Sequence, residues 1–162
     1  MATAEHNLSS YDPTSVPSGA GRRFALVISE WNLEITDALR SGARETLLRH
    51  GVAEGDIVEE WVPGSFELAS GAQFLLEAGG LDGVICLGSV VRGETPHFDF
   101  VCQGTTQGIM ALGLKFSKPV IFGVLTDDSM EQARARSGGK HGNKGVDCAV
   151  AVLKMAALKD RC

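Results

Sequence analysis

Nine consecutive residues without a charge, Gly83 to Val91, run directly into a tight polar loop, Arg92-Gly93-Glu94-Thr95-Pro96-His97. A run of that length and composition fits a strand buried on both faces, and such strands belong to parallel sheets covered by helices on each side. The loop then sets a guanidinium, a carboxylate, a hydroxyl and an imidazole at the carboxyl end of the strand. Open α/β sheets take their ligands at that end, so the chemistry is expected there.

The rest of the chain supplies the alternation that such a sheet needs. Arg23 to Ser29 reads as a first strand. Asn32 is placed to cap a helix over Leu33 to His50, with Ile35, Leu39, Ala43 and Leu47 on one face, and Gly51 ends it. Asp56 to Val62 reads as a second strand, stopped by Pro63-Gly64. Ser65 opens a helix that carries Phe66, Ala69, Ala72 and Leu76 inward and closes at Gly79-Gly80. Gly83 to Val91 is the third strand, and Asp99 to Lys115 the helix after it. Pro119 to Thr126 is a fourth strand, also free of charge. Asp128 and Glu131 have capping-box spacing for a short helix ending near Ser137. Gly138 to Gly142 breaks that helix, and a last one is expected over Asn143 to Lys159, its alanines suited to close packing. This βαβαβαβα order predicts a three-layer α/β/α sandwich, flavodoxin-like, on a four-stranded parallel sheet. Four strands leave long edges, so an oligomer is expected.

At 162 residues the chain fits one domain. Residues 1–21, rich in Ser, Thr, Ala and Pro, read as a flexible tail ahead of a domain over 22–162. A net charge of −5 argues against a general nucleic-acid binder. No apolar run approaches the roughly 18–20 residues of a membrane span, and no secretory signal is visible, so a cytoplasmic location is expected. Cys86, Cys102, Cys148 and Cys162 form no CxxC pair and read as reduced thiols. The histidines are too scattered for a zinc site. Neither GxSxG nor GxGxxG occurs, and GGKHGNKG lacks P-loop spacing and follows a helix rather than a strand.

Four strand ends then share one rim. They offer Glu30, Trp31 and Asn32; Ser65, Phe66 and Glu67; Ser89 through His97; and Thr126 through Asp128. This set would suit a flat, hydrogen-bonding heterocycle. Trp31 is either core packing or a stacking platform. Glu67 is either a solvated first-turn carboxylate or an acceptor for ring N–H groups. His97 follows Thr95-Pro96, a stiff connection, and an imidazole there can give and take a proton. Arg134, Arg136, Lys140 and Lys144 surround the glycine break, as a solvated face or as an anion pocket.

With these residues in place, the chain closely resembles the 6,7-dimethyl-8-ribityllumazine synthase family, from about Phe24 to Leu158. The matching segments are SEWN (29–32), VPGSFEL (62–68), CLGSVVRGETPHFDFV (86–101), PVIFGVLT (119–126), EQARARSG (131–138) and GNKGVDCA (142–149). The resemblance implies a transferase of riboflavin biosynthesis. Such an enzyme condenses 5-amino-6-(D-ribitylamino)uracil with 3,4-dihydroxy-2-butanone 4-phosphate, without metal or organic cofactor, through imine formation, phosphate elimination, tautomerisation and ring closure.

It also implies roles. Trp31, Ser65, Phe66, Glu67, Ser89, Val90 and Val91 would hold the ribitylaminouracil. Glu94 and Thr95 would hold the butanone phosphate, and His97 would carry protons. Phe122 and Arg136 would come from the neighbouring subunit, one beside the heterocycle and one on the phosphate. Lys144 and Asp147 match nearby polar positions. Glu94 and Pro96 depart from members with small or hydroxyl residues there, so Glu94 is expected to offer its backbone N–H. The family builds pentamers, some of which pair into decamers and others close into sixty-subunit icosahedral shells. The short GGKHGNKG connection is similar to that of shell-forming members and favours the shell, although Pro13 and Pro17 would hinder the tail from adding a strand to a neighbour. Riboflavin synthase is a candidate partner. A flavin-binding cage without turnover and a phosphorylation-switched receiver domain are the competing classes; the third strand lacks the acceptor aspartate of the latter.

Overall fold

The computed structural model describes residues 7–162. Its strands are β1 (Phe24–Ser29), β2 (Ile57–Val62), β3 (Gly83–Val91), β4 (Val120–Asp127), β5 (Ser137–Gly139) and β6 (Gly142–Asn143). Its helices are α1 (Leu33–Arg49), α2 (Leu68–Ala78), α3 (His97–Phe116), α4 (Met130–Arg136) and α5 (Lys144–Lys159). The main sheet has the order β2-β1-β3-β4 and is parallel throughout. The expected three-layer, flavodoxin-like sandwich is therefore what forms.

Side chains alternate across the sheet and build two cores. Leu26 and Ile28 of β1, Ile85 and Leu87 of β3, and Leu125 of β4 pack with Ile35, Leu39 and Leu47 of α1 and Ala149 and Leu153 of α5. Ala25, Val27, Val84, Cys86 and Val124 face the other way, onto Leu68, Ala72 and Leu76 of α2 and Ile109 and Leu112 of α3. The central strands β1 and β3 are buried over nearly their whole length, while the edge strands β2 and β4 are partly open. Cys86 and Cys148 are buried and free, and burial raises both thiols, so they pack as small apolar groups.

The structure departs from expectation at five places. Phe66, expected to face inward, is 59% exposed, because residues 65–67 form a separate 3-10 turn ahead of α2. Asn32 precedes α1 but its side chain caps nothing, because its backbone is left-handed (φ 60°, ψ 48°). The short helix α4 is capped one residue later than the Asp128/Glu131 spacing suggests. Ser129 Oγ accepts from the Gln132 N–H at 3.3 Å, and Gln132 Oε1 accepts from the Asp128 N–H at 2.8 Å. The glycine break is not a plain loop. It folds into the antiparallel hairpin β5–β6, with Gly138 at φ +124° and Gly142 at φ +80°, where other residues would be strained. Finally, α3 begins at His97 rather than Asp99, so the histidine is the first residue of a helix.

The flexible-tail expectation falls in part on residues 1–6, which lie outside the described residues. From residue 7 onward the segment runs along the body. Leu8 and Val16 are buried, the Leu8 N–H donates to His141 O at 2.7 Å, and the Tyr11 hydroxyl meets His50 Nε2 at 3.1 Å.

Candidate active site

Where β3 outruns β1, its pairing with β1 ends at Ile28–Leu87 while its pairing with β4 continues to Val91–Asp127. The notch left beside Ser89, Val90 and Val91 becomes one wall of a cavity of about 790 Å3, within the usual size of a small-molecule site. Trp31 and Asn32 come to it from the end of β1. Gly64, Ser65, Phe66 and Glu67 come from the turn after β2. Gly93, Thr95 and His97 come from the β3–α3 loop and the start of α3, with Phe98 next to His97 and Phe100 and Val101 one turn on.

Glycines let these pieces approach. A Cβ on Gly88 would sit 2.6 Å from Ser65 Oγ and 2.9 Å from Leu68 Cδ1, so glycine lets the 65–67 turn seat on β3. A Cβ on Gly64 would lie 3.0 Å from Glu67 Oε2. Thr105 Oγ1 donates to Ser65 O at 3.1 Å and ties the same turn to α3.

The loop is braced from behind. Arg92 donates its backbone N–H to Asp127 O at 2.9 Å and its guanidinium to Asp128 (2.9 Å) and Asp99 (3.3 Å), and it lies 4.1 Å over the Phe98 ring. Arginine here is structural to the loop rather than part of the cavity wall.

Trp31 is 72% exposed, which excludes core packing and leaves the indole face free for a ring. Ser65 Oγ and Ser89 Oγ are buried without a hydrogen-bond partner. A buried hydroxyl left unpaired costs about 1–3 kcal/mol, and both residues line the cavity. The cleft thus gathers Trp31, Ser65, Phe66, Glu67, Ser89, Val90, Val91, Thr95 and His97. Beginning α3 two residues late in the sequence hid Phe98, Phe100 and Val101. Phe100 and Val101 lie three and four residues on from His97, the helical spacing that could have found them; Phe98, directly after it, carries no such signal.

Three expected site residues lie elsewhere on the same chain. Glu94 is exposed outside the cavity wall. Phe122 is half-buried on β4, beside an apolar hollow of about 420 Å3 that also includes Met110, Leu114, Met155 and Leu158. Arg136 closes α4 and faces a different cavity of about 850 Å3 with Asp127, Arg134, Lys140, His141 and Lys144. Arg134 is occupied by Glu34 through two bonds of 2.9 and 3.0 Å, and Lys144 donates to Asp147 at 2.5 Å. Among the described residues Arg136 enters no ion pair.

Asp127, at the end of β4, is buried with Oδ2 unpartnered. Burial raises its pKa against the pull of the Arg136 charge. A carboxyl that holds its proton more tightly when folded weakens the fold once pH rises above the ordinary carboxylate range. Asp127→Asn should therefore stabilise the chain by about 1 kcal/mol at pH 7. Urea titrations should show that gain fading as pH falls towards the ordinary value of 3.8.

Fold and cleft together define an α/β protein with a cavity at the carboxyl ends of its strands, lined by aromatic rings, hydroxyls, a carboxylate and an imidazole. The model of the family described as 6,7-dimethyl-8-ribityllumazine synthase matches residues 21–160. Proteins of that name are similar along nearly their whole length. The one from Porphyromonas gingivalis is 54% identical over 159 residues, covering 98% of this chain and 99% of its own. The one from Cytophaga hutchinsonii is 54% identical over 157 residues, covering 97% and 98%. The one from Phocaeicola vulgatus is 50% identical over 161 residues, covering 99% and 96%. The chain belongs to the 6,7-dimethyl-8-ribityllumazine synthase family, and is a transferase of riboflavin biosynthesis.

Proposed function

We propose that the domain over residues 22–162 condenses 5-amino-6-(D-ribitylamino)uracil with 3,4-dihydroxy-2-butanone 4-phosphate, in a cleft that two copies of the chain complete. The observation that carries the site is the meeting of Trp31, Glu67, the Ser89–Val91 wall and His97 in one cavity. Trp31 stacks on the pyrimidine, and Ser65, Phe66 and Glu67 hold the uracil and ribityl groups. The phosphate lies against the Gly93–Thr95 backbone, with Glu94 contributing its N–H, close to the positive N-terminal end of α3. His97 moves protons as the 5-amino group attacks the ketone, phosphate leaves, the product tautomerises and the second condensation closes the ring. Water and inorganic phosphate are released. No metal or organic cofactor is required by these steps, which only form and break C–N and C–O bonds and shift protons.

Phe122 and Arg136 act on the neighbour's cleft. In their own chain they sit on other faces, and Phe122 lies beside exposed Met110, Leu114, Met155 and Leu158 on a half-open edge strand. An apolar face on an open sheet edge is suited to being covered by another subunit. A pentamer places each such face on the next copy, and the short β5–β6 hairpin favours a sixty-subunit shell over a free pentamer or decamer. Lys140 and Lys144 line the cavity that Arg136 faces, and Asp147 pairs with Lys144. No described helix is long and apolar enough to cross a membrane, and the enzyme acts in the cytoplasm with riboflavin synthase downstream.

Mixing the two substrates with purified protein should produce the lumazine chromophore faster than the spontaneous reaction. A rate equal to the spontaneous one would defeat the proposal, and tight flavin binding without turnover would favour a cage.

A further inference from the structure

Asn32 lines the cleft, yet no role assigned so far uses its side chain. Two non-glycine residues among those described have positive φ, Asn32 and Ser117. Ser117 follows the end of α3, where a left-handed residue is a common way to stop a helix. Asn32 precedes a helix, where extended backbone is the norm. Strain of this kind persists where the surroundings demand it, and it collects at functional sites.

What demands it here is the end of β1. Past Leu87, β3 has no β1 residue beside it, although β4 still pairs along its other edge. The Ser89 carbonyl would be left without a backbone donor on the β1 side. Asn32 Nδ2 donates to it at 3.0 Å. The left-handed turn brings the amide back to β3 while Trp31, the residue before it, projects outward. Ser29 Oγ donates to Trp31 O at 3.4 Å, a second tie on the same turn. One side-chain amide thus replaces a missing rung of the sheet and couples the indole platform to the Ser89–Val91 wall.

We propose that Asn32 is a positioning residue that sets Trp31 against the Ser89–Val91 wall and so determines affinity for the pyrimidine substrate, not for the phosphorylated one. This rests on the functional reading above, so the test carries one readout that needs no turnover. Asn32→Gly accepts the left-handed backbone and removes only the amide. Asn32→Asp also tolerates that backbone but turns a carboxylate oxygen towards a carbonyl.

Asn32→Gly should keep its unfolding midpoint within a few degrees of wild type. Its KM for the pyrimidine should rise about tenfold, the effect of one hydrogen bond at the upper end of its usual worth, and its KM for the butanone phosphate by less than about twofold. Asn32→Asp should do at least as badly. In a Trp61→Phe background Trp31 is the single indole, since the chain has two tryptophans. Its fluorescence anisotropy in free protein should decay faster once Asn32 is glycine. Unchanged KM values, or both rising together with a lowered midpoint, overturn the proposal. If wild type itself forms no lumazine, the functional reading falls and anisotropy alone decides: unchanged Trp31 motion sinks Asn32, and faster motion sustains it.

Discussion

Replacing His97 with alanine is expected to lower kcat by about 10²–10⁴-fold, the range that a positioned proton donor and acceptor contributes. The KM values should move little, because the stacking and anion contacts lie on other residues. His97 is the first residue of α3, exposed and on the cavity wall, and Pro96 before it restricts the approach of the loop. Arg92 holds that loop from the far side through Asp99 and Asp128. The ring therefore stands on a braced turn at the cavity wall, where the proposed reaction has it transfer protons. The spontaneous condensation sets a floor below which the variant cannot fall. Added imidazole should return part of the lost rate if the defect is proton transfer. A variant with wild-type kcat at saturating substrates would remove His97 from the chemistry.

Gly145→Ala should destabilise the chain by at least about 3 kcal/mol, beyond the usual cost of overpacking. The first turn of α5 lies directly on α1. A Cβ at Gly145 would fall 1.9 Å from Leu39 O, 2.8 Å from Leu39 C and 3.0 Å from Ala43 N. These are backbone atoms of a helix, and they cannot turn aside as a flexible side chain would. The helices would have to separate, opening the core that Leu39, Ala149 and Leu153 share. For a chain of this size the unfolding midpoint should fall by roughly 6–12 °C. Gly55→Ala is the control, since nothing lies within 4 Å of its added Cβ. A Gly145→Ala midpoint equal to that of the control would refute the close approach of α1 and α5.

Much of this architecture could be read directly from residue patterns. The charge-free runs at Gly83–Val91 and Pro119–Thr126 mark β3 and β4, and the spacing of Ile35, Leu39, Ala43 and Leu47 marks the buried face of α1. Of the alanines on the last helix expected to serve close packing, Ala149 and Ala156 are buried in the chain's own core, while Ala151 and Ala157 are only partly buried. Other features were hidden for physical reasons. Glycines that break a helix also suit a hairpin, and composition alone does not separate the two at Gly138–Gly142. Asparagine before a helix signals a cap, yet its tolerance of left-handed backbone lets it serve a different end at position 32. Trp31, Glu67 and His97 announced themselves by sitting just past strand ends. Phe122 did not, because an aromatic within a strand looks like any core residue. The role proposed for it rests on family resemblance and on the exposed apolar face beside it, and that proposed for Arg136 on the resemblance.

The central claim is that each cleft joins His97 of one copy to Arg136 of the next. His97→Ala and Arg136→Ala should each be nearly inactive when assembled alone. Co-expressed in equal amounts, they should recover activity, because about a quarter of the clefts in a ring of randomly mixed neighbours would pair an intact His97 with an intact Arg136. Mixed assemblies no more active than the average of the two separate variants would contradict the shared cleft.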